Sequence, residues 1–385
     1  MEKVKVVVAF CAYLNSAETT SNMALAYQRI IVKIGSNVLT QENGLPDQAR
    51  IQHLVDQIAA LKKAGKEVIV VSSGAVAAGR SLVQVSDKAD AVSNRQLLAA
   101  VGQVKLLATY AELFGQHELV CAQVLVTKED FRDRQHYLNM QNCFQALLQN
   151  NIIPVVNEND VISVTELMFT DNDELAGLVA SMLDADALLI LSNVDGIYDG
   201  DPKAPGAQLI PVIEPSTTSF SGFVTTQRSQ FGRGGMITKC HMANKVAQLG
   251  IAVHIANGKT ENILPRILSE DVVSTKFVAN RTASRKKKWL AHAEPAAKGA
   301  VQLNAGAKAA LTTPGKAISL LPVGLLGIVG TFQKGDIIKL LDDAGKTIGL
   351  GIAEYGADKA LERLGLQHQK PLVHYDYLFL STEIS

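Results

Sequence analysis

Short apolar runs alternate with longer amphipathic segments over residues 29–256. The runs at 30–32 and 68–71 are typical of buried strands, and between them a helical spacing places five apolar residues on one face: Ile51, Leu54, Val55, Ile58 and Leu61. Further predicted strands follow at 121–126, 152–156, 187–191 and 252–255, with helices near 96–114, 137–149, 173–183 and 236–249. This alternation predicts an α/β fold, a mainly parallel sheet sandwiched by helices.

The pattern changes near residue 281, where Arg281, Arg285 and the lysines at 286–288 form a basic stretch. Beyond it the spacing favours short strands and tight turns, with strands at 336–341 and 347–353 around a polar turn at 342–346. We therefore predict an α/β domain over residues 23–280, followed by a linker and a small β-rich domain over residues 281–385.

The N-terminus carries an apolar run at 6–14 after Lys3 and Lys5, which weakly resembles a secretory signal. The run is far too short to span a bilayer, which takes about 20 apolar residues. We interpret Met23 as the original start and residues 1–22 as a disordered N-terminal extension.

Composition narrows the class of protein. Of the 385 residues, 47% are hydrophobic and 19% are charged, which is typical of a folded soluble protein. Lys plus Arg and Asp plus Glu are equal at 37 each, so the net charge does not support a general nucleic-acid or membrane-surface binder. The cysteines show neither zinc-ligand nor disulfide spacing, which favours a reducing cytoplasm: Cys11, Cys121, Cys143 and Cys240.

Polar residues follow four of the predicted strands. They are Lys33, Gly35 and Ser36 after the first, Ser73 and Gly74 after the second, Asn157-Glu158-Asn159-Asp160 after the fourth, and Ser192 and Asn193 after the fifth. Each group alone is also what any strand end requires. Because ligands of parallel sheets bind beyond the C-terminal ends of the strands, the four groups together predict a binding site at this edge.

Two further segments add candidate chemistry. Thr170-Asp171-Asn172-Asp173 precedes a predicted helix, where it could equally serve as an ordinary N-cap with acids in the first turn. A glycine-rich loop at 231–239 enters another helix, where backbone N–H groups can contact phosphate oxygens. The chain has no Walker A sequence and no G-x-G-x-x-G after its first strand, which argues against a P-loop enzyme and a dinucleotide-dependent dehydrogenase.

Phosphoryl transfer fits these residues. The reaction requires positive charge around the transferring group, which Lys33 and Lys239 could supply, with Asp173 holding the lysines in place and a carboxylate sharing Mg²⁺. A carboxylate acceptor is already ionised near neutral pH and needs no general base. None of the eight histidines lies in the strand-end motifs, as such an acceptor would allow.

The ordered set of motifs resembles the signature of the glutamate 5-kinase family, part of the amino acid kinase superfamily. The motifs are Val32-Lys33-Ile34-Gly35-Ser36, Ser72-Ser73-Gly74-Ala75, Asn157-Glu158-Asn159-Asp160, Asp171-Asn172-Asp173 and the segment 234–239. The region 287–380 resembles a PUA domain. The resemblance implies ATP-dependent phosphorylation of the side-chain carboxylate of L-glutamate, the first step of proline biosynthesis.

Carried over by position, the resemblance implies Lys33 and Lys239 on the phosphates, with Asp173 organising both. Glutamate would be bound by Ser73, Asp160 and Asn172. ATP would be bound by Lys33, Ser192, Asn193, Arg233, Gly234, Gly235, Met236, Ile237, Thr238 and Lys239. Two residues depart from the commoner family pattern, because Asn193 stands where Asp is frequent and Arg233 where Thr is frequent.

The resemblance also implies ATP and Mg²⁺ as cofactors, proline as a feedback inhibitor, a homo-oligomer and a cytoplasmic location without a membrane partner. The metal ligands stay unassigned. Two alternatives stay open: a related kinase acting on aspartate, acetylglutamate, carbamate or UMP, and an RNA-binding PUA protein. The neutral charge and the aromatic content of only 5% speak against the RNA-binding alternative.

Overall fold

The computed structural model describes residues 25–85, 90–131, 133–163, 169, 171–202, 204–215, 217, 220, 235–280, 297–313 and 318–380. The first domain contains, in chain order, β1 (Arg29–Ile34), α1 (Ser36–Leu39), α2 (Gln48–Lys63), β2 (Glu67–Ser72), α3 (Ala75–Arg80), α4 (Ala91–Gly115), β3 (Cys121–Val126), α5 (Arg134–Gln149), β4 (Ile153–Glu158), α6 (Asn172–Leu183), β5 (Ala187–Ser192), β6 (Val212–Ile213), α7 (Met236–Gln248), β7 (Ala252–Asn257), α8 (Ile263–Leu268) and β8 (Thr275–Phe277).

These strands form one eight-stranded sheet in the order β3-β4-β2-β1-β5-β7-β8-β6. The pairs from β3 to β7 are parallel, which confirms the predicted α/β fold. The β7–β8 pair is antiparallel, a detail that the sequence pattern did not predict. Two predicted boundaries also shift, because Lys33 lies inside β1 and Asn157 and Glu158 are the last residues of β4.

The strands are apolar on both faces because each face carries its own core. Ile31 packs into a cluster with Phe144 of α5 and Val179 of α6. Its neighbours Ile30 and Val32 pack into a second cluster, which contains residues of α2, α4 and α8. Successive side chains of a strand point to opposite faces, so a strand buried on both sides loses the alternation of polar and apolar residues.

Helices α3 and α4 are in very close contact. A β-carbon at Gly79 would lie 2.0 Å from the carbonyl oxygen of Leu98, and one at Gly102 would lie 1.8 Å from that of Ala75. Among the described helices, α4 alone is long and apolar enough to cross a membrane, but its buried face packs in the core with Leu106, Tyr110 and Phe114. Core helices of globular domains have these same properties.

The second domain contains β9 (Gly299–Leu303), α9 (Ala305–Thr312), β10 (Leu325–Gly330), β11 (Ile337–Leu341), β12 (Thr347–Ile352), α10 (Ala357–Glu362) and β13 (Leu378–Leu380). They form a separate five-stranded sheet in the order β10-β9-β11-β12-β13. The predicted hairpin is present, since β11 and β12 pair antiparallel around a turn in which Asp342 accepts backbone N–H bonds from Ala344 and Lys346.

Each sheet has its own hydrophobic core, and no cluster of the described residues mixes the two. The basic stretch at 281–288 lies outside the described residues, as does the extension at 1–22. The boundaries at residues 22 and 280 therefore stay predictions.

Candidate active site

A cavity of about 480 Å³ lies where β1, β2, β4 and β5 end, and we call it the strand-end cavity. It is lined by most of the residues that the sequence predicted for the site: Lys33, Gly35, Ser36, Ser73, Gly74, Asn157, Asp160, Asn172, Ser192, Asn193 and Lys239. Residues that lie up to about 200 positions apart in the sequence thus meet at one edge of the sheet, as expected for a parallel sheet covered by helices on both faces.

Lys33 and Lys239 line this cavity, and the fully buried Asp173 lies behind them; we call the three side chains the charge triad and the buried part of the cavity that they form its bottom. The Nζ atom of Lys33 lies 2.6 Å from Oδ1 of Asp173, and Nζ of Lys239 contacts Oδ2 of the same carboxylate. The exposed fractions of the three side chains are 6%, 0% and 15%. One carboxylate therefore holds two ammonium groups inside the protein.

The triad groups shift one another's pKa values. Burial alone would raise the pKa of Asp173, but the ammonium groups of Lys239 and Lys33 outweigh burial and lower it. Burial lowers the pKa of Lys33, and the charge of Lys239 adds to this against the attraction of Asp173. For Lys239 the carboxylates of Asp173 and Asp171 outweigh burial and raise the pKa. The carboxylate is thus kept ionised between its two partners.

Local sequence places Asp173 at this point. Asp171 is the N-cap of α6, and its Oδ1 accepts the backbone N–H groups of Asp173 and Glu174 at 2.9 and 3.1 Å. The ordinary N-cap interpretation is therefore correct for Asp171, while Asp173 turns inward to the lysines. Burial, followed by the charge of Asp173, raises the pKa of Asp171. Its Oδ2 atom is buried beside the cavity without a hydrogen-bond partner among the described residues.

A network of side-chain amides holds the polar residues of the cavity in place. Nδ2 of Asn172 donates to Oγ of Ser73 at 2.9 Å and to Oδ1 of Asn157 at 3.1 Å. Nδ2 of Asn157 in turn donates to Oε1 of the buried Gln103 at 3.0 Å. Sequence reasoning missed Gln103, which lies in the middle of α4. Both amide N–H donors of Asn172 are therefore taken by protein oxygens.

Sequence reasoning also missed the ion pair between Arg95 and Asp160. Nη2 and Nε of Arg95 donate to Oδ1 of Asp160 at 2.6 and 3.1 Å, and Nη2 lies 4.0 Å from Glu158. Both side chains of the pair line the strand-end cavity. The available signal was that Arg95 is the single charged residue between Asp90 and Lys105.

The predicted nucleotide residues are only partly placed. Ser192 and Asn193 line the cavity at the end of β5, with Oγ of Ser192 donating to Oδ1 of Asn193 at 3.4 Å. Gly235 is the N-cap of α7, and Lys239 lies in the first turn of that helix. Met236 packs against the core and Ile237 is exposed. Arg233 and Gly234 lie outside the described residues.

Comparisons with known proteins agree with this arrangement. The Amino acid kinase family model matches residues 28–257, and the PUA domain model matches residues 299–372. A glutamate 5-kinase of Chlorobaculum tepidum is 52% identical, with 92% of this chain and 98% of the relative aligned. A glutamate 5-kinase of Bacteroides thetaiotaomicron is 50% identical over 93% of this chain and all 100% of the relative.

A third relative, the glutamate 5-kinase of Shewanella oneidensis, is 39% identical over 92% of this chain and 95% of its own length. Each of these relatives spans both domains, so the similarity is not limited to the fold that the amino acid kinases share. The resemblance predicted from the strand-end motifs is confirmed. The chain belongs to the glutamate 5-kinase family, with an amino acid kinase domain followed by a PUA domain.

Proposed function

We propose that this chain transfers the γ-phosphoryl group of ATP to the side-chain carboxylate of L-glutamate, which gives L-glutamyl 5-phosphate and ADP. Formation of this acyl phosphate is the first step of proline biosynthesis. The observation that carries the proposal is the charge triad, in which the buried Asp173 fixes Lys33 and Lys239 at the bottom of a cavity at the sheet edge.

The triad supplies what phosphoryl transfer requires. An oxygen of the glutamate side-chain carboxylate attacks the γ-phosphorus, and the bond from that phosphorus to the bridging oxygen of ADP breaks. Lys33 and Lys239 neutralise the negative charge of the transferring group, while Asp173 keeps both ammonium groups in place before the reaction. The acceptor is already ionised, so no side chain has to remove a proton.

The donor set also fits a magnesium ion brought by ATP. Mg²⁺ is usually held by one or two carboxylates together with substrate phosphates, so a cluster of protein ligands is not required. No group of three or more His, Cys, Asp or Glu suited to a metal occurs in the described part of the chain. Beside the cavity, Asp171 offers a buried carboxylate oxygen that has no hydrogen-bond partner among the described residues. When bound, the ion neutralises phosphate charge, and Asp171 would hold it.

Three polar residues are proposed to bind glutamate. Asp160 pairs with the α-ammonium group, because this cation would be strongly destabilised if it were buried without a carboxylate. Ser73 and Asn172 line the same cavity as Asp160, and Asn172 is proposed to contact a substrate carboxylate. Because its N–H donors now bind Ser73 and Asn157, that contact requires them to exchange partners.

ATP is proposed to occupy the part of the cavity next to β5 and α7. Ser192 and Asn193 line the cavity at the end of β5, and Lys239 lines it from the first turn of α7. The N-terminus of a helix offers free backbone N–H groups and partial positive charge to phosphate oxygens. Residues 233–238, which include the first turn of α7, are also proposed to bind ATP. Proline inhibition, a homo-oligomer, a cytoplasmic location and RNA binding by the PUA domain stay predictions implied by the family.

A coupled assay of ADP release tests the proposed function. Glutamate, aspartate, acetylglutamate, carbamate and UMP are offered in parallel with ATP and Mg²⁺, and glutamyl phosphate is trapped with hydroxylamine. We expect turnover with glutamate at least about tenfold above every other acceptor. Preferred turnover of another acceptor would assign the chain to a different reaction of the amino acid kinases. An RNA-binding protein without kinase activity would release no ADP with any of them.

A further inference from the structure

Arg95 lines the strand-end cavity, and the proposed reaction leaves it without a role. Arg95 reaches across from α4, 65 residues away in sequence, to contact the carboxylate that follows β4. The side chain of Asp160 is 9% exposed, whereas that of Arg95 is 37% exposed. A well-buried carboxylate is thus paired with an arginine side chain that is partly exposed to water.

The head group of a free amino acid carries the two complementary charges close together. Its α-ammonium and α-carboxylate groups are bound to one carbon, so their receptors must also lie next to each other. In the structure Arg95 and Asp160 pair with each other at 2.6 Å. With substrate, each can exchange this contact for a charge-assisted hydrogen bond to the head group, which leaves neither charge unpaired.

We propose that Arg95 binds the α-carboxylate of the substrate and, together with Asp160, selects acceptors that carry a zwitterionic α-amino-acid head group. This inference rests on the proposed function, and it adds a specificity residue to that same site. It predicts discrimination against N-acylated amino acids, which lack the ammonium charge, and against acceptors that lack the α-carboxylate.

Two observations favour Arg95 for this role. Glutamate carries two carboxylates, and Asn172, whose N–H donors must leave Ser73 and Asn157 to contact one of them, does not supply a receptor for the other. A planar guanidinium group presents its donors in a fork that matches a carboxylate, and the half-exposed side chain of Arg95 can turn toward a ligand without leaving a buried charge behind.

The test uses two incomplete substrates as competitive inhibitors of the full-length enzyme. 4-Aminobutyrate keeps the ammonium group and the reacting carboxylate but lacks the α-carboxylate, and glutarate lacks the ammonium group. We expect Arg95→Ala to raise the KM for glutamate at least about tenfold and the Ki for glutarate similarly, while the Ki for 4-aminobutyrate changes by less than about twofold. The kcat should fall by less than about threefold.

The pattern across ligands separates recognition from damage. Equal weakening of glutamate and 4-aminobutyrate would mean that Arg95 only positions Asp160, and it would overturn the inference, as would an unchanged KM for glutamate. Arg95→Lys keeps the charge and should recover part of the lost affinity. Arg95→Gln provides a second variant if alanine impairs folding, and the same pattern is expected for it.

Arg266→Ala is a matched control, because Arg266 has the same side-chain exposure of 37%, pairs with Asp271 and lies outside the strand-end cavity. It should leave all three constants unchanged. The two proposals fail in different ways. A wild-type enzyme that does not phosphorylate glutamate overturns the proposed function, and this inference with it. An active wild-type enzyme with an unaffected Arg95→Ala variant overturns only the role of Arg95.

Discussion

The strand-end cavity contains two sets of paired charges, and they differ in burial and in what they can do. The charge triad is buried at the bottom, where Asp173 is fully enclosed between Lys33 and Lys239. The Arg95–Asp160 pair forms part of the cavity wall, and the side chain of Arg95 is 37% exposed. The first set cannot separate without leaving a buried charge unpaired, while the second can exchange partners with a ligand.

This difference matches the two tasks of the site. Catalysis of phosphoryl transfer benefits from charges that are fixed in advance, because no energy is then spent on moving them during the reaction. Recognition of a charged substrate benefits from receptors that are satisfied when the site is empty and can be released when the ligand arrives. Changes at the bottom of the cavity should therefore alter kcat, and changes on the wall should alter KM.

The largest effect is expected from the lysines of the triad. Lys33→Ala or Lys239→Ala should lower kcat by roughly 10²–10³ or more, because each removes positive charge from the transferring phosphoryl group. Steady-state kinetics with both substrates saturating measures this. A decrease of less than about threefold in kcat would remove that lysine from the proposed mechanism.

Lys62→Ala is the matched control for these variants. Counted over the whole residue, Lys62 is 6% exposed and Lys33 is 5% exposed. Lys62, however, lies at the end of α2 and does not line the cavity. Its replacement can lower stability but should leave kcat unchanged. If both substitutions reduced kcat alike, loss of a buried lysine in general would explain the result without any role for the triad.

An intermediate effect is expected at the wall. Asp160→Ala should raise the KM for glutamate at least about tenfold while the KM for ATP changes little, because the α-ammonium group loses its carboxylate. Asp342→Ala is the matched control, since Asp342 is 5% exposed and pairs with Lys308 at 2.9 Å in the second domain. Equal weakening of both substrates would indicate general damage to the fold, and an unchanged KM for glutamate would leave Asp160 a purely structural carboxylate.

The buried His254 tests what burial does when no opposite charge compensates. Burial lowers the pKa of His254 from 6.5 to about 3, and Nε2 lies 3.1 Å from the hydroxyl of Tyr27. Between pH 6.5 and pH 3 the side chain of His254 stays neutral in the folded protein but binds a proton in the unfolded chain. The free energy of unfolding therefore falls as the pH falls through this range. Above pH 6.5 this contribution to stability is fully present.

His254→Gln should remove this contribution while keeping a partner for Tyr27. Between pH 7 and pH 5 the wild-type protein should lose about 2 kcal/mol of stability through this group, and the variant should lose correspondingly less. Urea unfolding followed by circular dichroism at several pH values measures the difference. Parallel pH profiles for the two proteins would show that His254 is protonated in the folded state as readily as in the unfolded one.

The sequence predicted the triad better than the wall, and the reason is physical. Lys33 lies near the end of the apolar strand β1, and Asp173 and Lys239 lie in the first turns of α6 and α7, so their motifs could be assigned to the edge where parallel strands end. The Arg95–Asp160 contact depends on how the polar start of α4 turns toward β4, which no periodicity encodes. Gln103 escaped notice for a similar reason, because its partner Asn157 lies on a different element.

The antiparallel strand β8 shows the same limit at the level of the fold. Thr275 to Phe277 is too short to give a strand pattern, and its direction is set by pairing with β7 and β6. By contrast the strands β1, β2, β5 and β7 were predicted correctly because both of their faces are buried, which requires continuous apolar runs.

The smallest effect is expected from removing the PUA domain. A chain that ends at residue 283 keeps every described residue of the strand-end cavity, which is lined from Lys33 to Lys239, and keeps both hydrophobic clusters of the first sheet. Because the second sheet has its own core, we expect the truncated protein to fold and its kcat and KM for glutamate to stay within about threefold of the full-length values. The ADP-release assay measures this, with circular dichroism as the control for folding. A folded truncation without turnover would show that the second domain completes the site. The bottom and the wall of the cavity would then not be sufficient for catalysis and recognition without that domain.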